Sequence, residues 1–137
     1  MSTPAKLTAR GTFDVRLNPQ PPGAEGGGPF GRLLLDKQYQ GDLTGASQGH
    51  MLGVQPAPGF AAYAAMEIVT GTLHGRSGSF MLQHAGAMDG GVMTMTGTVI
   101  PGAGTGELAG LTGRYVITVT GGQHLYELEY RVESRDE

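Results

Sequence analysis

This sequence predicts an all-β fold, a closed antiparallel barrel of eight strands, and three observations carry that expectation. Apolar and polar residues alternate with period two along most of the chain. Glycine-rich breaks separate the alternating runs, and helix competes in only one segment. Closure is preferred to an open sheet because it removes the exposed edges of the outer strands, with a two-sheet sandwich as the alternative. At 137 residues the chain fits one domain, 1–137, and a chain of this size buries roughly two-thirds of its unfolded surface without staples.

Residues 7–17, LTARGTFDVRL, place Leu7, Ala9, Phe13, Val15 and Leu17 on one parity, with Thr8, Arg10, Thr12, Asp14 and Arg16 on the other. That is a half-buried strand. Residues 18–31, NPQPPGAEGGGPFG, have no period and cannot continue a ladder, because proline lacks the donor and glycine costs entropy. A mobile loop, able to act as a lid, is expected there. Alternation resumes as two strands, 32–43 and 46–54, with a turn or glycine bulge near TGAS at 44–47, and QPAPG at 55–59 breaks the chain again.

Helix competes over 60–73, since FAAYAAMEIV is rich in helix formers. Strand is preferred, because no capping residue precedes Phe60 and the run continues into the β-type IVTGTL. Further strands are expected at 79–87, 92–100, 114–120 and 123–133. DGG at 89–91 and GG at 121–122 supply the positive φ that tight hairpins need.

Within TGTLHGRSGSFMLQH, 70–84, the flanking patterns converge on Gly75–Gly78 as a hairpin turn, with Ser77 a turn hydroxyl and His74 solvated. The nucleophile-elbow pattern fails, because glycine follows Ser77 immediately rather than two residues on. GAGTGELAG at 102–110 fails as a dinucleotide fingerprint, because the β-rich RYVITVT follows it and not an amphipathic helix. It reads as a crossing loop ending in a single helical turn within 107–112.

Composition narrows the function. The absence of cysteine excludes disulfides, thiolate metal sites and a cysteine nucleophile. Four histidines occur without an HxH or HExxH pairing, so neither a metal nor a cofactor is expected. Nine Lys plus Arg against twelve Asp plus Glu are scattered, and there is no tryptophan, which argues against a nucleic-acid partner. MSTPAKLTAR lacks a signal-like apolar core and FAAYAAM is far too short to span a bilayer, so a soluble cytoplasmic protein with no membrane partner is expected.

Parity selects the candidate site. Phe80, Leu82 and His84 share one strand face; so do Leu33, Leu35, Lys37, Tyr39 and Leu43; so do Tyr63, Ala65, Glu67 and Val69; and so do His124, Tyr126, Leu128, Tyr130 and Val132. Burying Lys37 and Glu67 singly is costly, so either they pair with each other or the barrel holds water and a ligand. His84 is either a core histidine satisfied by one hydrogen bond or a pocket residue. Lys37, Tyr39, Tyr63, Glu67, Phe80, His84, His124, Tyr126 and Tyr130 are the expected lining of a ligand site. Strand 60–69 is apolar on both parities, Ala62, Ala64, Met66 and Ile68 lying opposite Tyr63, Ala65 and Val69, which predicts a homo-oligomer, dimer or trimer.

The segments GTLHGRSGSFMLQH, GTGELAGLTG, LDKQYQGDL and HLYELEY together resemble a small bacterial family, the domain of unknown function numbered 3224, from about Ala9 to Val132. The resemblance implies a barrel similar to that of allene oxide cyclase and the dirigent proteins, and transfers no reaction. The primary expectation is therefore a module that holds a small apolar molecule inside the barrel. The alternative is a cofactor-independent cyclase, isomerase or lyase, with His84 or Glu67 as base and Lys37 or Tyr130 steadying an oxyanion.

Overall fold

The computed structural model describes residues 5–21 and 28–133. Eight strands follow one another: β1 Leu7–Pro19, β2 Gly31–Gly41, β3 Leu43–Ala57, β4 Phe60–Leu73, β5 Arg76–Asp89, β6 Val92–Val99, β7 Leu111–Thr120 and β8 Gln123–Val132. A single 3₁₀ turn, Gly106–Leu108, lies between β6 and β7. Each strand is antiparallel to the next, and β8 returns to β1, so the sheet closes into a barrel. No helix among the described residues is long and apolar enough to cross a membrane.

Register fixes the shape of the barrel. Starting at Ala9 and following cross-strand partners through Leu128, Tyr115, Gly97, His84, Ala65, Met51 and Leu33, the path returns to β1 at Pro19, ten residues along. A stagger of this size in an eight-stranded barrel tilts the strands steeply and leaves an interior that side chains fill or that holds one small ligand.

The turns depart from expectation in places with a physical cause. The chain reverses between β2 and β3 at Gly41 and Asp42, not at 44–47. Gly41 adopts φ 108°, and the Asp42 carboxylate accepts the Arg10 backbone N–H at 2.9 Å. The hairpin between β4 and β5 turns on His74 and Gly75, φ 47° and 81°, so Ser77 belongs to the strand rather than the turn. A left-handed histidine is uncommon, and here its ring is held by the Tyr130 hydroxyl. His74 is thus exposed, as expected, and bonded as well.

β3 runs through QPA to Ala57 by way of a register shift between Val54 and Ala57, which absorbs Pro56 without a ladder donor. The expected helical turn begins one residue earlier and ends by Leu108, freeing Leu111 to start β7. The expected loop at 18–31 is shorter than its sequence suggests, because β1 includes Pro19 and β2 starts at Gly31. Its residues 22–27, with the lid role assigned to them, lie outside the described residues. The two glycine pairs behave as expected: Gly90 and Gly91 have φ 60° and 89°, and Gly121 and Gly122 have φ 58° and 77°.

The interior differs between its two ends. One end is solid: Ala9, Leu43, Leu73, Phe80, Leu108, Leu111 and Leu128 are fully or almost fully buried, each large side chain contributing on the order of 1.5–3 kcal/mol by burial. Tyr126 ties this end down, its hydroxyl accepting the Leu43 N–H at 2.8 Å and sharing its one hydrogen between the Gln40 and Leu43 carbonyls. The other end is open, and Leu17, Phe30, Val92 and Met93 are exposed there.

Candidate functional site

Between the solid end and the open end lies a buried polar cluster built on inward positions of β2, β3, β4, β5 and β7. Glu67 is its centre. Oε2 accepts from Lys37 Nζ and from His84 Nε2, both at 2.7 Å, and Oε1 accepts from the Tyr39 hydroxyl at 2.8 Å and from Ser47 Oγ at 2.9 Å. Lys37, Ser47, Glu67 and His84 are 2–6% exposed, and among the described residues no buried side-chain nitrogen or oxygen lacks a partner. Burial of an ion pair becomes tolerable only under such saturation.

The remaining bonds order the protons. Tyr39 spends its hydrogen on Glu67, so at 2.7 Å it is Tyr115 that donates to the Tyr39 oxygen. Lys37 donates to the Tyr115 oxygen at 3.1 Å and to that of Tyr39 at 3.4 Å, and its ammonium sits 4.3 Å over the Phe13 ring. His84 faces a carboxylate with Nε2, which assigns the ring hydrogen there and leaves Nδ1 to accept from the Tyr63 hydroxyl at 2.8 Å.

Charge follows geometry. Burial pushes the Glu67 carboxyl up, but the His84 hydrogen bond and the Lys37 charge and hydrogen bond outweigh it and hold the group at about 2. Burial pulls Lys37 below the usual lysine value against the opposing effect of Glu67. Burial raises the hydroxyls of Tyr39 and Tyr115 well above the ordinary tyrosine value, with the nearby Glu67 charge adding to the shift in both. Burial and then Glu67 push Tyr63 up to about 12.

Each of three cluster residues faces a glycine across the ladder: Glu67 faces Gly49, Tyr63 faces Gly86 and His84 faces Gly97. A methyl group on Gly86 would come within 2.6 Å of the Tyr63 ring, and one on Gly97 within 2.6 Å of His84 Cβ. At Gly86 the missing side chain therefore makes room for the Tyr63 ring, and at Gly49 and Gly97 the two strands approach closely.

Tyr63 alone in the cluster borders the open end. It joins Pro29, Gly31, Met51, Gly53, Gly86 and Met93 in lining a cavity of about 430 Å³. A larger depression of about 790 Å³ lies elsewhere, on the outer wall. Its lining is mostly on the parity opposite to the buried cluster, Leu34, His50, Leu52, Ala64, Met66 and Gln83 among it, but reaches His84 and shares Met51 with the first cavity. Among the described residues no group of His, Asp and Glu is arranged to hold a metal.

Of the residues that parity selected, Lys37, Tyr39, Tyr63, Glu67 and His84 come together. Four do not join them. Phe80 packs in the solid end, and Tyr126 bonds backbone there. Tyr130 bonds His74 near the β4–β5 turn, which removes it as an oxyanion support. His124 is partly buried, its ring 5.1 Å from that of Phe13. Two members of the cluster escape the sequence reading: Ser47, because the turn was expected on top of it, and Tyr115, whose inward parity with Ile117 was legible in RYVITVT.

The family described as a protein of unknown function, DUF3224, matches residues 9–130. This chain belongs to the DUF3224 family. A crystal structure of a DUF3224 protein with unknown function, from Shewanella oneidensis MR-1, is similar to it at 41% identity and a TM-score of 0.85, covering 95% of this chain and 100% of that one. The chain matches none of the curated proteins. Membership in DUF3224 thus brings a fold and no chemistry, and the residues themselves have to supply the function.

Proposed function

We propose that the barrel binds a small, neutral, apolar molecule in the cavity at its open end, with Tyr63 orienting it. The reading rests on one observation: the cavity, about 430 Å³, is walled mostly by glycine, alanine, valine, proline and methionine with the neutral Gln55 among them, and its single hydroxyl side chain, Tyr63, is anchored to a buried charge cluster. A mostly apolar pocket with a few well-placed polar groups is the usual design of a small-molecule site. Met51 and Met93 suit it, since methionine adapts to guests of differing shape. The likeness to allene oxide cyclase and dirigent barrels inferred from the sequence agrees with an interior guest, and cytoplasmic residence with self-association belongs to the same proposal.

The test uses naphthalene as probe and methionine methyl resonances as reporters. Binding in the cavity shifts Met93, together with Met51, which borders both hollows, and leaves Met66 and Met81, on the outer wall, unmoved. A shift at Met66 without one at Met93, or no shift at any methionine, overturns the reading.

A further inference from the structure

We propose that Tyr63, His84 and Glu67 form a proton relay, and that the barrel catalyses a cofactor-free proton shift on a neutral carbonyl compound bound in the open cavity, with Tyr63 the group that touches substrate. This inference rests on the reading of the cavity as a ligand site.

Donor and acceptor accounting singles out Tyr63. Glu67 receives two hydrogens on each oxygen, so no lone pair remains for a substrate proton. Lys37 directs its three N–H groups at Glu67, Tyr115 and Tyr39, so it is available neither as nucleophile nor as oxyanion donor. Tyr39 and Tyr115 bond each other and lie behind the ion pair. What remains is the phenol of Tyr63, on His84 Nδ1 at one side and against the cavity at the other.

Carboxylate, imidazole and hydroxyl in series is the arrangement that activates serine in hydrolases. A phenol in the hydroxyl position carries protons well and attacks carbonyl carbon poorly, so the series suits proton transfer rather than acyl transfer. The step balances without an oxidant or reductant. The proton on a carbon next to the carbonyl passes to the Tyr63 oxygen as the Tyr63 proton passes to His84 Nδ1. The C–H electron pair becomes the C=C bond of an enolate, and the carbonyl π pair moves to oxygen.

The imidazolium so formed is countered by Glu67, which stays ionised throughout. In the return step His84 gives its proton back to Tyr63 while Tyr63 protonates the same or a conjugated carbon. The cavity wall carries no charged side chain, which selects neutral substrates. Tyr63 is the catalytic residue here, and His84 and Glu67 act through it as positioning residues.

The experiment uses 2-tetralone in deuterated buffer with the full chain. Its binding is read from the Met93 methyl shift, and its C1 deuterium uptake from proton NMR. Wild type is expected to bind and to exchange about 10²-fold or more faster than Tyr63→Phe, the scale of general acid–base catalysis, while Tyr63→Phe still binds. His84→Gln is expected to bind, to exchange slowly and to lose the pH dependence of the wild-type rate, which a merely structural role would leave in place.

Binding with equal exchange in wild type and Tyr63→Phe overturns the relay and leaves the ligand site standing. A wild-type pH profile retained in His84→Gln also overturns the relay. No binding of 2-tetralone up to millimolar concentration overturns the ligand site, and the relay with it.

Discussion

His84 Nε2 reaches Glu67 Oε2 diagonally across β4 and β5: the residue directly opposite His84 is Ala65, and the one opposite Glu67 is Leu82. The small side chain of Ala65 leaves the gap through which the imidazole leans. Diagonal neighbours in a sheet meet only when a long or aromatic side chain bridges them, so this bond depends on both partners keeping their shape.

Removing the central charge should therefore be expensive. Glu67→Gln strands Lys37 in the interior and is expected to destabilise the fold by about 3–5 kcal/mol. Tyr63→Phe loses one hydrogen bond and should cost about 1 kcal/mol. Urea unfolding of the two variants beside wild type measures the contrast, and equal losses would contradict the placement of Glu67 at the centre.

Stability should fall at both extremes of pH, for opposite reasons. Glu67 drops from 4.5 to about 2 on folding, so its contribution is complete above 4.5 and disappears as the pH falls toward 2, roughly 3 kcal/mol in all. Tyr63 rises from 10.0 to about 12, and Tyr39 and Tyr115 move the same way. Their contribution is complete below pH 10 and is lost as the pH climbs past it, because the unfolded chain releases those protons first. Melting temperature against pH should show both slopes, the acid one weakened in Glu67→Gln.

Two glycines should respond differently to alanine. At Gly86 the new methyl meets the Tyr63 ring and Met95 Cγ, both movable side-chain atoms, and only grazes the Thr94 carbonyl oxygen at 3.0 Å, whereas at Gly49 it runs into the Met66 carbonyl oxygen, which is backbone. Gly86→Ala is expected to displace Tyr63 and abolish probe binding at a cost of about 1–3 kcal/mol. Gly49→Ala should exceed that cost and distort the sheet. Calorimetry and the methionine spectra of both variants separate the cases.

The outer wall should find a second copy of the chain. Outward positions of β4 and β5 from 60 to 87 carry no titratable side chain, and Leu52, Met66, Ile68 and Met81 are exposed among them or on the adjacent β3. A charge-depleted, apolar centre is what a homomeric interface presents. Sedimentation is expected to give a mass above the 14.2 kDa monomer at micromolar concentration, and Met66→Glu a monomer.

Period-two alternation made the strands legible and assigned the faces of Lys37, Tyr39, Tyr63, Glu67 and His84. It carries no information on height along the barrel axis. Tyr130 shares the inward face of β8 with His124 and Tyr126, yet the ten-residue stagger puts it beside His74 near a turn, remote from Glu67. Height comes from cross-strand partners, which are long-range and unwritten in a local pattern. Ser47 was hidden for a different reason: glycine and threonine in TGAS look like a turn, while the actual reversal uses Gly41 and Asp42, where a carboxylate supplies the missing backbone partner.

The barrel is a meander, each strand bonded to the next, and only the β1–β8 seam joins distant parts of the chain. That order has a kinetic consequence. Lys37, Tyr39, Ser47, Tyr63, Glu67 and His84 all lie on β2 to β5, successive hairpins whose loops close at little entropic cost, while the seam must bring residues 7 and 130 together. Lys37 and Glu67 are expected to meet within these hairpins before the seam closes, and Phe13 joins them through the equally local β1–β2 pairing. Closure of the seam is then the last folding step, so substitutions at Ala9 and Leu128, which face each other across it, should act mainly on the unfolding rate.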